Sequence, residues 1–266
     1  ARFRAELSFK IDPETLEMAK EMVATRGYEN IPYHFILKEL KKVANSENPE
    51  LFFETLREIR GLDLIYQGFQ ETEIIPQPIK HHPENEVFKH IMLVMRQAKE
   101  MSAHLEESKR FEVFLATLFH DIGKSLTSKE NWPSHHNHEE LGAEYIESNL
   151  KNFLPKKAYK LVHFIAENHL RCHRVLELKA SSIVKLEARA KNLCPEMIAI
   201  CNTADARGRT GFESKEYPQA EFLKECFIKI RELGGFKIKK EWSGEQIKQF
   251  IHGEKVSVVK KIKNKM

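Results

Sequence analysis

Long apolar runs are missing from this 266-residue chain. No stretch reaches the roughly 18 to 20 apolar residues that a membrane-spanning helix needs. The opening ARFRAELSFK has neither the apolar segment nor the small-residue cleavage site of a secretory leader. Cysteine is scarce, limited to Cys172, Cys194, Cys201 and Cys226, with no CxxC pair. That spacing argues against a cysteine-built zinc site, and a chain of this size needs no disulfide staples. The four read as reduced, mostly core-filling thiols of a cytoplasmic protein. Period-2 alternation of β-branched residues is nearly absent, which argues against a sheet.

What is present is a charge-rich, soluble composition, with 41% hydrophobic and 31% charged residues. This is enough apolar surface for a real core and too much for wholesale disorder. The net charge of +4 is concentrated at one end: between Lys237 and Met266, nine Lys face three Glu. A basic end of this kind is either a solvated tail or a surface for phosphates.

Nearly every segment has helical periodicity, so the expected fold class is all-α. Asp12-Pro13 opens a helix with Leu16, Ala19, Met22 and Val23 on one face, and Gly27 is expected to end it. A second helix is expected from Tyr33 to Val43 with Phe35, Ile36, Leu40 and Val43 inward, and a third from Asn48-Pro49 to Gly61. Residues 75–83 carry Pro76, Pro78 and Pro83 and read as an extended connector. The expected organisation is a helical neck and body over 1–74, the connector, a second helical domain over 84–235 and a basic helical tail over 236–266. Within the second domain, helices are expected near 84–103, 110–120, 139–150, 155–169, 181–190 and 195–206, followed by 218–232 and 244–252. The loop 121–138 is long and rich in His, Ser, Asn and Pro, a pattern typical of functional loops.

Seven of the thirteen His lie between His120 and His173. At their head stands LFHDIGK (118–124), an apolar helix ending in adjacent His120 and Asp121 before Gly123. Adjacent residues on a regular helix point about 100° apart, so for both to touch one ion the helix must finish there, and Gly123 is a plausible stop. An imidazole beside a carboxylate at the end of an apolar helix is costly to bury without a partner, and a divalent cation is one such partner. His90, among Val87, Ile91, Val94 and Met95, and Asp205, closing MIAICNTAD (197–205), are two further polar residues on apolar stripes. Taken singly each is an ordinary cap or a satisfied core residue; together they follow the order His…His-Asp…Asp.

That order resembles the HD superfamily of metal-dependent phosphohydrolases. The resemblance implies that His90, His120, Asp121 and Asp205 hold a divalent metal, a mixed N/O site suited to Ni, Mn, Co or Mg, with Ni favoured by the family. NWPSHHNHEELGA (131–143), AENHLRCH (166–173) and ADARGRTGFE (204–213) with Tyr217-Pro218-Gln219 narrow the likeness to the bacterial multifunctional CCA proteins, which are tRNA nucleotidyltransferases with an HD domain in the C-terminal half. Ala1-Arg2-Phe3, residues 11–21 and NPELFFETLR (48–57) resemble that family's neck and body helices. The family's nucleotidyltransferase head, a Gly-rich loop near a metal-holding carboxylate pair, has no counterpart here. Nucleotide addition by this chain alone is therefore not expected.

The resemblance implies 2′,3′-cyclic phosphodiesterase, 2′-nucleotidase and phosphatase activities in tRNA 3′-end maturation or repair. Asp121 is the candidate ligand and proton acceptor. Lys124, His138 and His169 are candidate catalytic groups that meet phosphate charge or protonate a leaving oxygen. His173, His135, His136, Arg207 and Arg209 are candidate phosphate contacts. The expected partners are the tRNA acceptor end and small 2′,3′-cyclic or 2′-phosphorylated nucleotides, with no membrane and with self-association left open. Two other readings remain: a tRNA-binding module with a non-catalytic metal site, and a stand-alone HD nucleotidase.

Overall fold

The computed structural model describes residues 1–25 and 31–265, so Gly27 lies outside the described residues. Among the described residues twelve α-helices follow one another: α1 (Arg2–Leu7), α2 (Pro13–Ala24), α3 (Tyr33–Ala44), α4 (Glu50–Glu58), α5 (Val87–Ser102), α6 (Glu107–Phe119), α7 (His138–Tyr145), α8 (Lys156–His173), α9 (Ala180–Arg189), α10 (Pro195–Arg207), α11 (Pro218–Glu232) and α12 (Gly244–Lys263). Among the described residues the only β pairing is one antiparallel bridge between Pro76 and Glu86, so the fold is all-α. None of the described helices is long and apolar enough to cross a membrane.

The helices form for local reasons. Asp12 accepts the amides of Glu14 and Thr15 ahead of Pro13, and Ser243 with Gln246 forms a reciprocal cap on α12. On α5, Val87, His90, Ile91, Val94, Met95 and Ala98 recur at three- and four-residue spacing and are all buried. That stripe packs against α6 and α10, while α8 packs on α6 and α7. The apolar core is continuous from Ala5 to Ile262 and crosses the connector, where Ile75 is fully buried.

Several expected boundaries and faces shift. α8 runs four residues past 169 and so carries His169 and His173 on one helix. α12 continues beyond 252 to Lys263 because Val259 and Ile262 bury against the core, and the Lys263 ammonium donates to the carbonyls of Leu176 and Leu178 at 2.8 and 2.6 Å. The basic end is therefore a docked helix. Phe35, expected inward, is 51% exposed and faces out, and Met22 on the apolar face of α2 is 66% exposed. No residue of α2 is buried. Cys172, Cys201 and Cys226 are buried and all four cysteines are free thiols.

Two glycines set how closely the site-bearing segments approach. α6 already ends at Phe119, and Gly123 sits in the 3-10 turn Ile122–Leu126. A Cβ on Gly123 would lie 1.9 Å from the His138 carbonyl oxygen, and one on Gly208 would lie 2.6 Å from Val94 Cα. Gly123 is thus less a helix stop than the point where the HD turn touches α7, and Gly208 presses the end of α10 onto α5. Both contacts are to backbone, which cannot swing aside. Gly123→Ala and Gly208→Ala should each destabilise the protein by about 2 kcal/mol or more, read as a lowered urea midpoint at unchanged slope.

Candidate metal centre

The site gathers at helix ends. His90 projects from the second turn of α5, His120 caps α6 with Asp121 following it, and Asp205 stands near the end of α10. All four are almost completely buried. His90 Nε2 lies 3.1 Å from Asp205 Oδ1, 3.3 Å from His120 Nε2 and 3.7 Å from Asp121 Oδ2. His120 Nε2 lies 3.2 Å from Asp121 Oδ2 and 3.9 Å from Asp205 Oδ1. Donor atoms on one first-row ion at about 2.1 Å stand roughly 3.0 to 3.4 Å apart, a range the shortest of these contacts match, and His90, His120 and Asp205, 115 residues apart at their extremes, form a group that could hold one cation.

A second group shares Asp121. His138 Nε2 and His169 Nε2 lie 3.5 and 3.6 Å from Asp121 Oδ1 and 3.2 Å from each other. Asp121 Oδ1 is buried and has no hydrogen-bond partner. The tautomers follow from the backbone. His138 Nδ1–H donates to the His135 carbonyl at 2.8 Å, and His169 Nδ1–H to the carbonyls of Ile165 and Ala166 at 3.2 and 3.3 Å. Burial lowers His138 to about 4 and His169 to about 3, so both rings are neutral and both Nε2 atoms bear lone pairs. Two lone pairs and an orphaned carboxylate oxygen facing one another call for a cation between them. Of the two roles expected for His138 and His169, meeting phosphate charge or protonating a leaving oxygen, this orientation speaks against the second, since a neutral ring with Nδ1–H on a carbonyl carries no proton on Nε2.

The first group is oriented in the same manner. His120 Nδ1–H donates to the Thr117 carbonyl at 2.7 Å. His90 Nδ1 lies 3.0 Å from the Gly208 carbonyl and 3.0 Å from Glu84 Oε1. Burial opposes the charge on Asp121 but the Lys124 ammonium and His120 outweigh it, holding the carboxyl well below its usual range. Burial is likewise outweighed at Asp205, chiefly by His173. At His90 burial favours the neutral ring, and the carboxylates of Asp205 and Glu84 more than reverse it. The cluster thus draws positive charge wherever it can find it.

A cavity of about 550 Å³ opens above the cluster. Lys124, His138, His173 and Arg209 line it, and each also reaches Asp121 or Asp205. The Lys124 ammonium is 2.7 Å from Asp121 Oδ2 and donates to Gln77 Oε1 at 2.6 Å. His173 Nε2 lies 2.6 Å from Asp205 Oδ2, with its Nδ1 on the Tyr217 hydroxyl at 2.7 Å. Arg209 sits 3.8 Å from Asp205 Oδ1, and its buried Nε is unpartnered. The other expected phosphate contacts are placed differently. His135 lines the cavity, but one ring nitrogen meets the Thr127 hydroxyl and the other the Pro76 carbonyl, both at 2.8 Å, so it pins the loop. His136 is exposed and lines no part of this cavity. Arg207 is turned to the Lys215 carbonyl at 2.9 Å and does not line it either.

Residues 87–201 match the sequence family described as HD domain. That segment of the chain is an HD domain. Over most or all of its length it is also similar to Multifunctional CCA proteins: 30% identical to that of Hahella chejuensis over 97% of this chain, 32% to that of Psychromonas ingrahamii over all of it, and 36% to that of Actinobacillus pleuropneumoniae over 85%. The chain spans 61%, 66% and 56% of the length of those relatives. In this HD-domain chain the donor set fits a divalent ion by chemistry and spacing alike.

Gln77 escaped the sequence analysis because the Pro-rich connector carries no periodic signal, and Glu84 because it falls at the start of the helix expected near 84–103, whereas α5 begins at Val87 and leaves Glu84 in the turn before it. Glu84 is buried, bonds His82 Nδ1 at 3.0 Å as well as His90, and accepts the Thr210 amide at 3.3 Å. It therefore orients a metal-facing imidazole and the turn after α10 together. Glu84→Gln should weaken divalent-ion binding about 10- to 100-fold in calorimetric titration of the chelator-stripped protein. His138→Ala with His169→Ala should lower the bound-ion stoichiometry of the wild-type protein, counted by elemental analysis, while leaving the His90–His120–Asp205 set loaded. An undiminished count would separate the second group from metal binding.

Proposed function

We propose that this chain hydrolyses phosphoesters at RNA 3′ ends, acting as a 2′,3′-cyclic phosphodiesterase, 2′-nucleotidase and phosphatase within a CCA-adding tRNA nucleotidyltransferase. The observation that carries the reading is the shared carboxylate: Asp121 faces two imidazole sets, with one oxygen at hydrogen-bond range of Lys124 and the other unpartnered. His90, His120, Asp121 and Asp205 hold one divalent ion, Ni being the favoured species, and His138 and His169 with Asp121 hold a second. Such ions supply a water of near-neutral acidity and withdraw charge from phosphoryl oxygens.

The chain's own groups do the rest. Arg209 meets a phosphoryl oxygen with its free guanidinium edge, a planar fork suited to that anion. Lys124, poised between Asp121 and Gln77, neutralises charge that develops on the departing ribose oxygen and is the nearest group able to protonate it. Tyr217 and Asp205 fix the His173 ring at the cavity wall, where it orients the phosphate without leaving its pair. The buried apolar surround excludes bulk water from the cluster and so strengthens each of these contacts. The printed name of the relatives supports tRNA as the bearer of that phosphate.

Hydrolysis of 2′,3′-cyclic AMP with added Ni or Mn tests the reading. Asp121→Ala should lower kcat/KM about a thousandfold or more, whereas Arg209→Gln should act mainly through KM. A wild-type protein that binds metal yet turns over no faster than Asp121→Ala would leave a tRNA-binding module with an inert ion.

A further inference from the structure

A second cavity, of about 470 Å³, lies on the other side of the C-terminal turn of α8 and shares Leu170 and Arg174 with the metal-facing one. Its walls present Arg171 and Arg174 at the end of α8 and Lys185 and Arg189 from α9. All four are exposed. The one carboxylate on its wall, Glu139, is turned inward to accept the Leu170 amide at 3.1 Å. The cations are held in place without being fully neutralised. Arg171 donates to Asn168 Oδ1 at 3.2 Å, Arg174 pairs with the exposed Glu177 at 3.4 Å, Arg189 donates to Glu167 and Asn168 at 3.2 and 3.4 Å, and Lys185 has no ion-pair partner among the described residues.

We infer that this cavity is a strand site: it receives the sugar–phosphate backbone of the nucleotide preceding the one whose phosphate occupies the metal-facing cavity. The inference deepens the phosphohydrolase reading and rests on it. Two features favour a nucleic-acid strand over other polyanions. The cavity adjoins the metal-facing one, with Leu170 and Arg174 lining both, so a chain whose terminal phosphate lies at Lys124 and Arg209 can pass over Arg174 toward the groove between α8 and α9. Its volume also falls in the range that takes a single small-molecule unit. Guanidinium forks beside a Leu170 and Leu186 floor suit phosphate oxygens with a sugar edge beneath, and they read no base. The protein then selects the end of an RNA over a free nucleotide by contacts remote from the broken bond.

Binding of a 5′-fluorescein hexaribonucleotide with a plain 3′-hydroxyl, followed by anisotropy on the full metal-loaded chain, tests this without cleavage. Lys185→Glu with Arg189→Glu should weaken binding about tenfold or more at unchanged thermal midpoint. Lys185→Gln with Arg189→Gln should reduce the salt slope of log K by about 1.4, the value for two lost phosphate contacts on a single strand. Unchanged affinity and slope in both variants would overturn the strand site. So would displacement of the RNA by poly-glutamate as readily as by unlabelled RNA. Turnover of 2′,3′-cyclic AMP in the same preparation reports on the metal-facing cavity by itself: no turnover with intact, charge-dependent RNA binding sinks the phosphohydrolase reading and upholds the groove, and turnover with RNA affinity insensitive to the variants does the reverse.

Discussion

Two buried carboxylates in an apolar helical frame dictate the rest of this molecule. An ionised acid removed from water costs far more than folding can spare unless positive charge stands beside it. Asp121 and Asp205 are each about as buried as the leucines around them, and each is ringed by imidazole nitrogens and one cationic side chain. The neutral rings of His138 and His169 bring no charge to Asp121 Oδ1, and the Lys124 ammonium serves only the other oxygen of that acid. The remaining deficit is what makes the centre a cation site and not simply a polar core.

The imidazoles meet that deficit because their orientation is settled by backbone. In four of the five rings that face the acids, Nδ1 is occupied by a main-chain carbonyl and Nε2 is left toward the centre, while His173 has its Nδ1 on the Tyr217 hydroxyl. For His120 and His169 the carbonyl lies three or four residues upstream, so the helical turn itself sets the tautomer, and for His138 the turn leading into α7 does so through the His135 carbonyl. His90 instead takes the carbonyl of Gly208, and a residue with a Cβ there would hold that carbonyl away from α5. Packing of backbone on backbone thereby becomes chemistry at a nitrogen atom.

Much of this was readable in the sequence. The apolar periodicity around Val87–Met95, the HD pair at the end of an apolar run and the polar residue closing 197–205 are local signals, and they located three helices and four side chains that the fold brings together. What was not readable depends on tertiary partners. Nothing local tells His135, sealed against Thr127 and Pro76, from His136, left in solvent one position later. Phe35 looks inward by spacing yet faces out, because no described element covers that side of α3. α12 seemed to end at its Lys-rich stretch; only the burial of Val259 and Ile262 carries it on. Arg207 and Arg209, two residues apart with the same charge, part company on which carbonyl or carboxylate happens to be near.

The connector before α5 has a consequence for how this protein can be divided. Pro76 offers its carbonyl to His135, Gln77 its amide oxygen to Lys124, and Glu84 its carboxylate to His90. The matched HD segment begins only at residue 87, so three of the props beneath its reactive centre belong to the stretch that precedes it. A gene trimmed to the helical bundle would preserve every metal-facing donor and still release the scaffold that aims them. Modularity in this lineage is bounded by that proline-rich strap, which any shuffling of domains would have to carry along.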